Sequence, residues 1–182
     1  MGKYCVLEED VEIGKNFEIG HHCVLKNGTR IGDNVTLGDY CKTTGLCYIG
    51  NNVNVRTDSC ISKGVIVEDK AFIGGGVMTS HTRNIHHCRP KMEKCQYITH
   101  IGYGAIIGSG TNLSAGVKIG DNVIVGYGSN VLHDLVLQGV YFGNPARFQL
   151  NLLPEDFIEI PKDYIYHEFT EEELKRYLPF VR

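Results

Sequence analysis

The chain of 182 residues has no tryptophan and only 9% aromatic residues, so its core cannot rest on a few large rings. Its formal charge of −3 gives no basic surface, which argues against nucleic acid or an anionic membrane as partner. No apolar run approaches the ~20 residues needed to cross a bilayer. The opening MGKYCVLEED has no apolar secretory core, so a cytoplasmic location is expected. What is abundant is glycine, with 22 residues, a sign of many tight turns. The seven cysteines are odd in number, and Cys5, Cys23, Cys41 and Cys47 sit in slots for small apolar side chains. They are expected to be reduced thiols.

The dominant pattern is a period of six. Stepping from Leu7 through Ile13, Ile19 and onward to Thr79 gives thirteen positions, eleven of them Ile, Leu or Val. Two residues before each lies a second small or apolar slot, and glycine often follows the aliphatic residue. An offset of two is strand spacing, and glycine after it marks a corner. Six residues therefore make one short strand and one turn, and the chain coils into a β-solenoid with its aliphatic residues stacked inside. Each buried Ile or Leu contributes roughly 1.5–3 kcal/mol. Spacing of eighteen sorts the rungs into three faces. After Leu7, Leu25, Thr43, Ile61 and Thr79 the corner residue is never glycine, whereas the other two faces are glycine-rich there.

The ladder resumes at Ile101 and continues through Ile107, Leu113, Ile119, Val125 and Val131 to Leu137. Thr79 to Ile101 takes 22 residues where six would do, an insertion of sixteen at one corner. Ser114 continues the non-glycine face, so the phase survives, and a loop at about 80–97 projects from one continuous solenoid. Beyond Phe148 the ladder ends. Thr170 to Glu173 reads as a capping box that opens a short helix, closed by Pro179. The expected organisation is a β-helix domain over 1–147 and an extension over 148–182.

Three stretches carry chemistry. Gly143-Asn144-Pro145-Ala146-Arg147 is a fixed turn followed by a cation suited to phosphate. The coil from Ile119 to Asp134 holds Gly126-Tyr127-Gly128, whose backbone N–H groups could hold an oxyanion. The stretch Val67-Glu-Asp-Lys-Ala-Phe-Ile-Gly-Gly-Gly-Val-Met-Thr79 leads into Ser80-His81 and the polar loop with Asn84, His86 and His87. A neutral imidazole at His81 can take a proton near neutral pH. His86, His87, Cys88 and Cys95 have no usual zinc spacing, and no metal is expected. His100 is placed outward on the resuming strand, within reach of the loop, with a structural role as the default.

These stretches together resemble the hexapeptide-repeat acyltransferases, and from Ile61 to Arg147 the nucleotide-sugar N-acetyltransferase branch. The resemblance implies an all-β, left-handed parallel β-helix with a triangular coil, acetyl-CoA as co-substrate and a homotrimer with sites between subunits. It implies transfer of an acetyl group to the amine of a nucleotide-linked sugar. His81 would be the base, Gly126, Tyr127 and Gly128 would face the thioester, and Ser109, Asn144, Pro145, Ala146 and Arg147 would bind the cofactor. Ser80, Asn84, His86 and His87 would meet the acceptor. Three departures stand out: Ser80-His81 replaces the branch's Asn-Asp pair, His133 replaces the usual Lys, and Tyr127 replaces Ala, where it could narrow the acyl tunnel or point away. A histidine at the start of the loop is similar instead to the sugar O-acetyltransferases, so acylation of a hydroxyl is the alternative. Two further classes share the fold: the γ-type carbonic anhydrases, whose zinc slots here hold Tyr103 and Gly108, and non-catalytic trimeric scaffolds.

Overall fold

The computed structural model describes residues 2–182 and forms an all-β parallel solenoid with three sheets of seven, six and eight strands. Most strands are two or three residues long, as a six-residue unit of strand and corner requires. Strands of one sheet are neighbours eighteen residues apart, as in Val6↔Val24, Glu12↔Arg30 and Glu18↔Thr36. This is the triangular coil that the resemblance implies and the eighteen-residue sorting of the rungs supports, consistent with a left-handed β-helix.

The first face runs from Val6–Leu7 to Asn130–Val131, the second from Glu12–Ile13 to Lys118–Ile119, and the third from Glu18–Ile19 to Ala146–Leu150. We number the corners in chain order: first between first and second faces, second between second and third, third between third and first. The rungs pack into one axial column, with Leu25, Ile49, Ile61, Ile73, Ile101 and Leu113 each no more than 2% exposed. Cys23, Cys41 and Cys47 fill small slots in that column as free thiols. Burial raises Cys23 to about 11 and Cys47 to about 12, so they stay protonated.

The two threonines in the ladder are buried but satisfied. Thr43 Oγ1 lies 2.6 Å from Thr29 Oγ1 and accepts the Lys26 N–H at 2.9 Å. Thr79 Oγ1 accepts the Ser62 N–H at 2.7 Å and donates to the Cys60 carbonyl at 3.1 Å. Pairing confirms the preserved phase: Val67 faces Ile101, and Thr79 faces Leu113.

The ladder's last step departs from expectation. The rung above Ile119 is Leu135, at 4% exposure, and not Leu137, which is 70% exposed. The final coil is two residues short, and Tyr141 supplies the next inward rung opposite Val125. The solenoid closes with an antiparallel hairpin, Val140–Gly143 against Ala146–Leu150, whose turn holds a cis Asn144–Pro145 bond. The expected boundary at 147 therefore falls inside a strand.

The extension folds back across the second face as a strap. Asn122 grips the Ile158 backbone with its side-chain amide, donating at 3.1 Å and accepting at 2.8 Å. The main anchor is Glu68, fully buried where the same corner has glycine at Gly14, Gly32, Gly50, Gly102 and Gly120. Its carboxylate accepts from Tyr164 O–H at 2.6 Å and His167 N–H at 3.0 Å, and lies 2.7 Å from His100 Nε2. Three donors satisfy a charge that would otherwise be costly to bury. His100 thus pairs with Glu68 beneath the strap, a structural role, and not with the loop. Beyond it, α1 (Glu171–Tyr177) begins at the Thr170 capping box and ends before Leu178. Phe169 and Leu178 pack with Leu46 and Ile66 in a second apolar cluster outside the solenoid. No helix among the described residues is long and apolar enough to cross a membrane.

Candidate active site

The second corner shows how the solenoid normally treats its backbone. There an Asp or Asn side chain from the coil above accepts an N–H from the coil below. Asp33 accepts from Lys15 at 2.7 Å, Asn51 from Asp33 at 2.8 Å, Asp69 from Asn51 at 2.7 Å and Asp121 from Tyr103 at 2.8 Å. The third corner begins alike, with Asp39 accepting from His21 at 2.6 Å and Ser109 Oγ from Gly75 at 3.2 Å. Between and above these the caps are missing. The residues above Ser109 and Tyr127 are Tyr127 and Gly143, which offer no side-chain acceptor. Among the described residues, the Ser109 and Tyr127 N–H groups have no hydrogen-bond partner, and neither do the Asp39 and Thr57 N–H groups lower on the same corner; Ser109 and Tyr127 are the pair that lies beside a cavity.

This corrects one expectation. The Gly126 N–H donates to the Tyr141 carbonyl at 2.7 Å and the Gly128 N–H to the Ser109 carbonyl at 2.8 Å, so both are spent on the ladder. Of the three residues expected to hold an oxyanion, only Tyr127 keeps a free donor, joined by Ser109 one coil below. Beside them lies a cavity of about 380 Å³ lined by Gly126, Tyr127, Gly128, Phe142 and Gly143. Gly128 has φ +65°, and a Cβ there would meet nothing within 4 Å, so its floor is open. The Tyr127 side chain is 86% exposed and points away from the core. Asn144, Pro145 and Ala146 form the hairpin turn next to this slot, and Arg147 is exposed with no ion pair among the described residues.

His81 lies at a different corner. It follows Ser80 out of the first face just after Thr79, whose carbonyl also accepts the Ser62 hydroxyl at 2.7 Å. The launch point is therefore fixed by three hydrogen bonds. His81 is half-buried, and its burial, with the Lys63 ammonium nearby, holds its pKa below the ordinary imidazole value. It is a neutral base at neutral pH. Asn84, His86 and His87 follow in the loop, where His86 lines a shallow cavity with Arg89, Pro90 and Met92. Among the described residues there is no cluster of three His, Cys, Asp or Glu placed to hold a metal ion.

The sequence candidates therefore form two groups, separated by the width of the first face. Ser109, Gly126 to Gly128 and Asn144 to Arg147 share the third corner; Ser80, His81 and the loop share the first. The fold does not bring them together within one chain. A cavity of about 700 Å³ lies elsewhere, between the second face and the strap. It contains none of these residues, and its Asp121 and Tyr166 already bond to each other at 2.7 Å. Sequence reasoning missed Lys63, Glu68 and the free N–H of Ser109. Glu68 and Ser109 had a readable signal: a glutamate in a glycine column, and the loss of acceptors one coil above.

The comparisons agree with the fold. The model of the bacterial transferase hexapeptide (six repeats) matches residues 10–45. This is a hexapeptide-repeat β-helix. No curated protein matches the sequence. Among solved structures, a variant of AntD, an N-acyltransferase from Bacillus cereus, in complex with dTDP and coenzyme A, shares the fold of the β-helix. It is 20% identical, with 85% of this chain and 84% of that chain covered and a TM-score of 0.65. The acetyltransferase domain of PglB from Neisseria gonorrhoeae, in complex with acetyl coenzyme A, is 17% identical with a TM-score of 0.51. That match covers 80% of this hexapeptide chain and 57% of the other. The polySia specific acetyltransferase NeuO is 15% identical, with 91% and 88% covered and a TM-score of 0.50.

Proposed function

We propose that this protein is an acyl-CoA-dependent acyltransferase that moves an acetyl group from acetyl-CoA to the amine of a nucleotide-linked amino sugar. The observation that carries the reading is the third corner, where the uncapped Ser109 and Tyr127 N–H groups lie beside an apolar slot. A thioester seated there would place its carbonyl oxygen near the Tyr127 N–H, which donates to the oxyanion as the amine attacks. Asn144 to Arg147 would hold the amide and phosphate portions of coenzyme A. His81 takes the proton released by the attacking nitrogen, and the thiol departs as coenzyme A. A backbone donor costs no reorganisation during the reaction, and a neutral imidazole has the right affinity for that proton.

Because His81 and Tyr127 lie at two corners, a complete site needs a second copy that sets its first corner against the third corner of its neighbour. A homotrimer with three such sites fits this requirement, working in the cytoplasm without metal. The AntD complex with dTDP and coenzyme A supports a nucleotide-linked acceptor. Ser80-His81, where an Asn-Asp pair was expected, favours a second reading, transfer to a sugar hydroxyl.

The test is a panel of nucleotide-linked amino sugars and their hydroxyl counterparts with acetyl-CoA, followed by free-thiol release. Turnover with an amino sugar is expected. Turnover only with hydroxyl acceptors supports the second reading, and no binding of coenzyme A overturns both.

A further inference from the structure

The loop that bears His81 leaves and re-enters the solenoid at one corner, and a hydrogen bond closes its neck. The Tyr97 N–H donates to the His81 carbonyl at 3.0 Å. Tyr97 itself is wedged. A Cβ added at Gly116 would come within 2.9 Å of the Tyr97 Cβ, and one added at Gly64 within 2.7 Å of its carbonyl oxygen. The Arg83 guanidinium lies over the Tyr97 ring at 5.1 Å while its Nε donates to the Ala115 carbonyl at 2.6 Å.

The residue before Tyr97 is held from outside the loop. Gln96 is buried and forms a parallel bridge with Val181. Its N–H donates to the Phe180 carbonyl at 2.8 Å, and its carbonyl accepts the Arg182 N–H at 3.1 Å. Its side-chain oxygen accepts the Phe180 N–H at 3.3 Å. Arg182 also pairs with Glu93, and the Lys94 ammonium sits 5.7 Å from the Phe180 ring. Leu178, fully buried against Leu46 and Ile66, fixes this segment to the second face. A segment that merely covered apolar surface would need only the Leu178 contact. This one spends three hydrogen bonds on a single residue at the neck.

We infer that Leu178–Arg182 is a positioning clamp for His81, holding Gln96 and, through the Tyr97–His81 hydrogen bond, the direction in which His81 leaves the first face. The inference rests on His81 as the base. None of the clamp residues touches the reacting atoms; they act through the neck. A displacement of about 1 Å in a catalytic group can cost ~10²-fold in rate, which sets the scale of the effect.

Two variants of the full chain test it: removal of residues 180–182, which spares Leu178 and α1, and Gln96→Ala. Both are expected to speed amide exchange at Tyr97 while the solenoid strands keep their protection. Both are expected to lower kcat by about 10- to 100-fold with the acetyl-CoA KM little changed. The acid limb of the pH–rate profile should move up toward the ordinary imidazole value as His81 gains water. Gln96→Glu keeps the acceptor for Phe180 and should restore most of kcat. Unchanged exchange at Tyr97 overturns the clamp, and so does global loss of strand protection in both variants. Faster exchange with unchanged kcat overturns the positioning role. His81→Ala in the otherwise native chain judges the base by itself: unchanged turnover there refutes the base, while the Tyr97 exchange result still stands on the clamp.

Discussion

The third and first corners of this solenoid are made from the same six-residue unit and are put to opposite uses. The third corner gains its function by subtraction. Asp39 and Ser109 cap the His21 and Gly75 N–H groups, but Asp39, Thr57, Ser109 and Tyr127 themselves go uncapped, and the last two leave rigid backbone donors open beside a cavity. The first corner gains its function by addition, sixteen inserted residues with His81 at their start. A backbone donor is held by the whole ladder and needs no further support. A side-chain base at the root of a long loop would, and on the proposed reading the hydrogen bonds from Leu178–Arg182 to Gln96 meet that need. The second corner is the control: nearly every N–H is capped, and the strap seals it through Glu68.

Substitutions that separate the corners follow in order of size. His81→Ala should lower kcat by about 10²–10⁴-fold and leave coenzyme A affinity unchanged, measured by steady-state kinetics and calorimetry. If affinity falls instead, the division of labour is wrong. Gly128→Leu should do the reverse, weakening coenzyme A binding by about tenfold or more. The new side chain fills the open slot, and at φ +65° it also carries left-handed strain of about 1–2 kcal/mol.

At the control corner, Glu68→Gln should cost about 1–3 kcal/mol in denaturant unfolding, because a neutral amide accepts the Tyr164 and His167 hydrogens less well. Acetyl-CoA affinity should not move, and a change there would tie the second corner to the site. The smallest effect is on pH. His81 must be neutral to accept a proton, and its pKa lies below 6.5, so kcat/KM should fall with decreasing pH only below the usual imidazole range. An acid limb above 6.5 would assign the base elsewhere.

The parts of the molecule set by the backbone period were readable from residues alone. Eleven aliphatic rungs, the preserved phase between Thr79 and Leu113 and the Thr170 capping box all follow from local spacing. The choice between Leu135 and Leu137 did not. The two share strand parity, so the pattern cannot choose; the register is set by Asp134 Oδ1 accepting the Lys118 N–H at 2.8 Å and Leu135 accepting the Gly120 N–H at 2.8 Å. The role of Glu68 depends on Tyr164 and His167, nearly a hundred positions away, and the clamp on Gln96 comes from Phe180, 84 positions away. Neither contact has a periodic signature. At Tyr127 the glycine-flanked motif marked the right corner, but which N–H remained free depended on carbonyls of Ser109 and Tyr141 in neighbouring coils.

The most direct test of a site divided between two corners is complementation. His81→Ala chains and Gly128→Leu chains are unfolded together at equal amounts, refolded and assayed at acetyl-CoA far below the Kd of the Gly128→Leu slot, where each alone has little activity. In a ring of heterologous contacts, about a quarter of the interfaces then join an intact first corner to an intact third corner. Recovery of about a quarter of native turnover is the expected result. A mixture no more active than its parents would contradict a site shared between chains.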